Sequence, residues 1–233
     1  LVVGVQVGST SATQYSNALT PGTTLRWTLA EPGPATTLPT VTITTPTVSP
    51  TYSTNSGPLT LGGTAGDNVG VTQVTWTNDR GGSETASGTT NWTVNGIPLQ
   101  PGTNVLTVTA HDDAGNWATD TLTVVLDQTP PNDGSLTAIA GNAKVTLNWS
   151  AFSDDGSGLA STDPYKLVFS TGGYPAASCT SGSQLYTGSN TSFTHTKLKN
   201  GTLYYYRVCA LDNAGNISTG VTVSAMPQGG KRR

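Results

Sequence analysis

The sequence has 233 residues, of which only 10% are charged, and its formal net charge is −3. That balance offers no basic surface for a phosphate backbone, and no apolar run of about 18 residues is present, so we expect neither a nucleic-acid partner nor a membrane span. Thr is the commonest residue and stands beside 28 Gly and 14 Pro, a composition that favours strands and turns over helices.

The first predicted strands lie within residues 1–30. Val3, Val5 and Val7 alternate with other residues, and a further strand is predicted over residues 23–30. Two or three strands cannot bury a sandwich core, so residues 1–34 are predicted to form a partial β-module or an assembly segment. Its missing half would come from other residues of the chain or from a neighbouring copy.

Residues 39–127 are predicted to form a complete β-module, opened by a Thr-, Ser- and Pro-rich segment. Its core candidates are Val74, Trp76, Trp92 and Val105. The predicted strands cover residues 40–44, 59–64, 71–77, 91–94, 103–110 and 118–125.

Residues 128–228 are predicted to form a second complete module, which begins at a Pro-Pro break. The strands are predicted over residues 136–140, 144–150, 165–170, 192–195, 203–211 and 220–225. No helix signal is present, and residues 229–233 read as a flexible basic tail.

One sequence motif occurs three times, at Leu19–Ala30, Leu99–Ala110 and Leu198–Ala210. In each copy a Gly-centred turn precedes a predicted strand whose side chains alternate between two faces. The second and third copies continue into Asp112–Asn116 and Asp212–Asn216, both of which read Asp-x-Ala-Gly-Asn and predict a hairpin. The first copy has no such hairpin.

These motifs carry family resemblances. Residues 128–228 resemble a fibronectin type III domain, through Trp149 and through Leu198-x-x-Gly-Thr-x-Tyr204, which places Tyr204 at that family's tyrosine corner. Residues 39–127 resemble bacterial Ig-like repeats, through Asp67-Asn-Val-Gly-Val and the Asp112 hairpin. The resemblance implies an all-β fold of tandem Ig-like and fibronectin type III sandwiches. It also implies spacer, adhesive or accessory roles outside the cell, and no reaction.

The two cysteines are Cys179 and Cys209. Alternation along residues 204–210 places Cys209 on the face opposite Tyr204, Tyr206 and Val208, hence away from the core and facing the surface. A thiol there with a single partner in the same module favours a Cys179–Cys209 disulfide over two free thiols. Such a pair indicates an oxidising compartment, and we expect a secreted or cell-surface protein.

The sequence contains few residues that could form a catalytic site. A nucleophile needs a histidine within hydrogen-bond reach, and only His111 and His195 are available. Both read as ordinary surface residues, and no metal, haem or nucleophile-elbow motif is present. We expect no enzymatic activity.

Calcium is the cofactor that the acidic loops suggest. In Ig-like sandwiches the B–C and F–G loops meet at one end, and Ca²⁺ prefers carboxylate and carbonyl oxygens. The alternative is that these side chains cap their own turns. The candidate ligands are Asp154, Asp155, Asp163 and Asp212 in one module, and Asp67, Asp112 and Asp113 in the other.

Trp117 is the candidate ligand-binding residue. It follows the Asp112–Asn116 turn, whereas the other tryptophans read as core, so it offers a surface for a sugar ring or a contact for another module.

Together these features predict a non-catalytic structural or adhesive array that acts as a spacer or binding module. Its partners would be other domains of a larger protein, neighbouring copies or carbohydrate. Two alternatives remain open: an accessory region of a large extracellular hydrolase, and a filament subunit completed by strand addition through residues 1–30.

Overall fold

The computed structural model describes residues 36–229, and these form strands, turns and a single 3₁₀ turn at Ala177–Cys179. The predictions for residues 1–34 and for the last four residues of the basic tail lie outside this range. Within the described part of the chain, no helix has the length and apolar character needed to cross a membrane.

Residues 40–126 form two sheets that enclose one core, here called the first sandwich. The strands are β1 (Thr40–Thr45), β2 (Thr51–Thr54), β3 (Leu59–Gly66), β4 (Val71–Asn78), β5 (Ser83–Thr85), β6 (Asn91–Ile97), β7 (Gly102–Asp112) and β8 (Trp117–Leu126). One sheet has the order β1-β3-β6 and the other β2-β8-β7-β4-β5, with β2 parallel to β8 and the remaining neighbours antiparallel.

Residues 135–225 form the second sandwich. Its strands are β9 (Ser135–Gly141), β10 (Lys144–Ser150), β11 (Tyr165–Ser170), β12 (Ser183–Gly188), β13 (Ser192–Thr196), β14 (Tyr204–Ala210) and β15 (Val221–Ala225). Its sheets have the orders β13-β10-β9 and β12-β11-β14-β15, and all neighbouring strands are antiparallel. The predicted all-β fold of tandem sandwiches is therefore confirmed.

Each sandwich has its own core, built from alternate residues of its strands. In the first sandwich Leu61, Val74, Trp92 and Leu106 are buried almost completely. The prediction that Val105 belongs to this core is wrong: it is half-buried on the outer face. Its neighbours Asn104 and Leu106 point inwards, so the alternation has the opposite phase at this position.

The second core contains Trp149, Tyr204 and Tyr206. The Tyr204 hydroxyl accepts a hydrogen bond from the Lys199 backbone N–H at 3.0 Å, which is the contact expected at a tyrosine corner. His195 is not an ordinary surface residue. It is half-buried, its ring lies 4.6 Å from that of Phe169, and burial lowers the pKa of its imidazole.

The Cys179–Cys209 disulfide is present, and it sits on the outer side of the sheet that contains β14. The expectation of a surface-facing Cys209 is wrong in one respect, because its side chain is fully buried. The segment that carries Cys179 folds over β14, and the two sulfurs pack with Val168 and Ile217 in a small apolar cluster. The disulfide thus anchors a covering segment to the sheet.

Candidate functional site

Asp127, which follows the end of β8, lies between the two sandwiches and is hydrogen-bonded to both. Its backbone N–H donates to the Thr54 carbonyl at 2.9 Å, which holds it to β2 of the first sandwich. Its carboxylate accepts hydrogen bonds from the Thr129 hydroxyl at 2.6 Å and from the Ser157 N–H at 2.8 Å. Asp127 therefore joins the first sandwich to a loop of the second.

The Asp-x-Ala-Gly-Asn turn of the second sandwich completes this junction. The Asp212 carboxylate accepts hydrogen bonds from the Asn216 N–H and from its Nδ2, both at 2.7 Å. The same Nδ2 also donates to the Asp127 carbonyl at 2.9 Å. The turn thus holds its own asparagine in position to bind the chain where it enters the second sandwich.

The first sandwich contains the same arrangement. The Asp112 carboxylate accepts hydrogen bonds from the Asn116 N–H at 2.8 Å and from its Nδ2 at 2.7 Å. Asn116 Nδ2 also lies 3.4 Å from the carbonyl of Thr37, in the segment that enters this sandwich. In both sandwiches, the asparagine of the Asp-x-Ala-Gly-Asn turn therefore contacts a backbone carbonyl of the segment that precedes the sandwich.

Further contacts line the junction. Gln128 Nε2 donates to the Asn55 carbonyl at 3.3 Å, so a linker side chain reaches back to the first sandwich. A shallow depression nearby is lined by Tyr52 and its neighbours from one side and by Ser157 and Asn213 from the other. The Asn213 amide in turn donates to the Ser157 carbonyl at 2.9 Å, which braces the loop that Asp127 binds.

Three carboxylates converge here. One ligand oxygen from each of Asp127, Asp154 and Asp212 lies within 4.8 Å of the others, and no other group of this kind occurs among residues 36–229. Burial raises the pKa of Asp154, and the negative charges of Asp127 and Asp212 raise it further. Burial also raises the pKa of Asp127, but the hydrogen bonds from Thr129 and Ser157 outweigh it and lower that pKa to about 2.

The structure sorts the predicted calcium ligands into two groups. Asp154 and Asp212 lie together, and Asp127, which the sequence did not single out, joins them. Its one sequence signal is its place at the end of a strand, three residues before Pro130. The remaining candidates, Asp67, Asp112, Asp113, Asp155 and Asp163, belong to no group of three or more such residues in the described range.

The alternative interpretation, that these aspartates cap their own turns, is confirmed at several positions. Asp67 accepts hydrogen bonds from the N–H groups of Val69 and Gly70 at 2.8 and 3.0 Å, and these bonds lower its pKa. Asp154 accepts one from the Gly158 N–H at 2.7 Å. The carboxylates therefore have structural roles without a metal, and calcium binding stays a prediction.

Trp117 lies where an exposed aromatic residue was expected, at the start of β8 and 58% exposed. Trp76, Trp92 and Trp149 are buried in the two cores, as their positions predicted.

The chain is similar to several solved structures at low sequence identity. Consecutive domains of titin match with a TM-score of 0.51 at 15% identity, over 77% of this chain and 61% of that one, so the chain spans about three fifths of the titin segment. Fibronectin(III)-like modules of Clostridium thermocellum CbhA match at 15% identity with a TM-score of 0.47, over 81% of this chain and 94% of that one. The FN1-FN3 domains of chicken CNTN1 match at 15% identity with a TM-score of 0.40, over 78% of this chain and 66% of that one.

No protein-family model and no curated protein matches the sequence. The titin match identifies a fibronectin III- or Ig-like β-sandwich fold.

Proposed function

We propose that this chain is a non-catalytic spacer of a secreted or surface protein, in which two sandwiches are held in one fixed arrangement. The observation that carries the proposal is the junction at Asp127. A single residue is hydrogen-bonded to the first sandwich through its N–H, and to the second through its carboxylate and its carbonyl. A spacer needs such a joint, because a freely jointed pair of domains sets no defined distance or direction.

The linker itself supports a stiff joint. Pro130 and Pro131 restrict its backbone, and the residues around them are hydrogen-bonded to the second sandwich. The Asn132 N–H donates to the Ser153 carbonyl at 2.7 Å, and the Gly220 N–H donates to the Asp133 carboxylate at 2.7 Å. Bonds of this kind along the linker oppose independent rotation of the two sandwiches.

The disulfide supports the extracellular part of the proposal. Disulfides persist in oxidising compartments and are rare in the cytosol, and Cys179 and Cys209 account for both cysteines of the chain. The two alternatives, an accessory region of a hydrolase and a filament subunit assembled through residues 1–30, stay predictions.

Residual dipolar couplings of backbone amides in the full chain test the fixed joint. We expect one alignment tensor to describe both sandwiches. Asn216→Ala removes the side-chain bond to the Asp127 carbonyl, and we expect the two tensors to diverge. Asn116→Ala is the matched control, because it alters the same turn in the first sandwich, away from this junction.

Two outcomes would contradict the proposal. Different tensors for the two sandwiches in the unmodified chain would show a flexible joint. Equal effects of Asn216→Ala and Asn116→Ala would show that the turn acts only within its own sandwich.

A further inference from the structure

One outer face of the first sandwich carries uncharged polar side chains in ordered rows across four strands. In β4, β7 and β8 the core residues alternate with threonines that point outwards, because successive side chains of a strand lie on opposite faces. The strand register places Thr119, Thr109, Thr75 and Thr85 side by side, and in the next row Thr121, Thr107, Thr77 and Ser83.

The row at the end of this face differs in chemistry. The register pairs Trp117 with His111, and His111 with Gln73. Trp117 is 58% exposed, and Gln73 is exposed, with its Nε2 donating to the Thr85 hydroxyl at 3.1 Å. An aromatic plane, an imidazole and an amide therefore lie in one line across three strands.

A depression continues this line beyond Gln73. It is open to solvent and lined by Gln73, Thr85, Gly88 and Thr89, among others. With strands about 4.8 Å apart, the path from Trp117 across His111 and Gln73 to Thr85 covers about 14 Å. That length suits several units of a linear chain rather than one small molecule.

We propose that this path, from Trp117 to the depression at Gln73 and Thr85, binds a neutral polysaccharide chain. The C–H face of a sugar ring packs on an exposed indole, and threonine hydroxyls both donate and accept hydrogen bonds, as sugar hydroxyls require. The three rows contain no Asp, Glu, Lys or Arg. They offer no cation for a uronic acid or a sulfate, so an uncharged sugar polymer is the chemical match.

The shape of the face favours a soluble chain over a crystalline surface. Neighbouring strands in a sheet are rotated by about 20°, so four strands turn through about 60° in total. A flat lattice such as crystalline cellulose would contact only part of such a surface, whereas a flexible chain follows the curve. The proposal goes beyond the spacer role and does not depend on the junction at Asp127.

Affinity electrophoresis of the full 233-residue protein tests this site. Native gels would contain barley β-glucan, xyloglucan, galactomannan or glycogen, with polygalacturonate as the charged comparison. We expect one or more of the neutral polymers to retard the protein, and polygalacturonate to have no effect. Trp117→Ala should weaken binding at least about fivefold, because it removes the stacking surface.

The matched control is Tyr174→Ala, which removes another exposed aromatic side chain, 52% exposed, from the second sandwich. We expect its retardation to equal that of the unmodified protein. A double variant, His111→Ala with Gln73→Ala, should lose binding while Trp117 is intact. Thermal melting of each variant verifies folding, and Trp117→Ala should stay folded, because its side chain is 58% exposed and belongs to neither core.

Three results would overturn the proposal. The first is that no neutral polysaccharide retards the protein. The second is that Trp117→Ala and Tyr174→Ala behave alike. The third is binding to microcrystalline cellulose without binding to any soluble polymer, which would contradict the argument from curvature.

Discussion

Removal of the Cys179–Cys209 disulfide by a double substitution to alanine should destabilise the second sandwich strongly. The cross-link joins residues 30 positions apart, and the loop-entropy relation assigns about 3.6 kcal/mol to a loop of that length. Both sulfurs are buried, so the double variant also loses packing against Val168 and Ile217. For a domain of about 100 residues, this free-energy change lowers the melting temperature by about 15 to 25 °C.

Differential scanning calorimetry provides the assay with an internal control. The first sandwich contains no cysteine, so its transition should stay in place while that of the second moves down. Because both sulfurs are buried, we expect the unmodified protein to reproduce the shift once it has been unfolded and refolded in the presence of a reducing agent. The reasoning is refuted if the second transition moves by less than about 5 °C.

Such a small shift would indicate that Arg207, rather than the disulfide, holds the segment carrying Cys179 against the sheet. Its guanidinium donates to the carbonyls of Pro175 at 2.9 Å, Thr219 at 2.8 Å and Gly220 at 2.7 Å, on both sides of the disulfide.

Gly63→Ala should destabilise the first sandwich by several kcal/mol in chemical denaturation, because the new Cβ would collide with the Thr42 backbone carbonyl oxygen and would lie 2.5 Å from the Trp92 ring. Tyr204→Phe leaves the Lys199 N–H without its acceptor and should cost about 1–3 kcal/mol in the second sandwich, again measured by denaturation. The pKa of Asp127 is lowered to about 2, so its carboxylate contributes stability above pH 4 that is lost as the pH falls towards 2; Asp127→Asn should flatten this part of the stability profile. If calcium binds, the melting temperature should rise between EDTA and millimolar calcium, and an unchanged value would exclude that prediction.

The long strands were predictable because each buries one face. The bounds of β10 and β11 agree with the prediction, and most others differ by one to three residues. Three short strands, β2, β5 and β12, escaped prediction. Each lies at the edge of its sheet, and their side chains are largely exposed or half-buried, so no clear apolar alternation marks them.

Residue roles that depend on a single strand could also be predicted from the sequence. Alternation placed Cys209 on the face opposite Tyr206, and the disulfide follows from there being one partner. The complete burial of Cys209 was not predictable, since it depends on a segment some 30 residues upstream folding over the sheet. Likewise, the sequence predicts His195 as an ordinary surface residue, because its contact with the Phe169 ring depends on the packing of two distant strands.

In the candidate site, too, some residues could be predicted from the sequence and one could not. Asp154 and Asp212 were predicted to meet, because loops at one end of a sandwich converge. Asp127 was not predicted, since it belongs to neither loop and reaches them only where the end of β8 meets the second sandwich.

By itself, the sequence determined the all-β class, the repeated turn and the disulfide, because alternation and turn chemistry act between residues that are neighbours along the chain. Only the tertiary structure decided that Asp127 and Asn216 tie the two sandwiches together, and that Trp117, His111 and Gln73 form one row. Those relations depend on strand register and on the approach of distant loops, which the free energy of the whole fold sets rather than any local pattern.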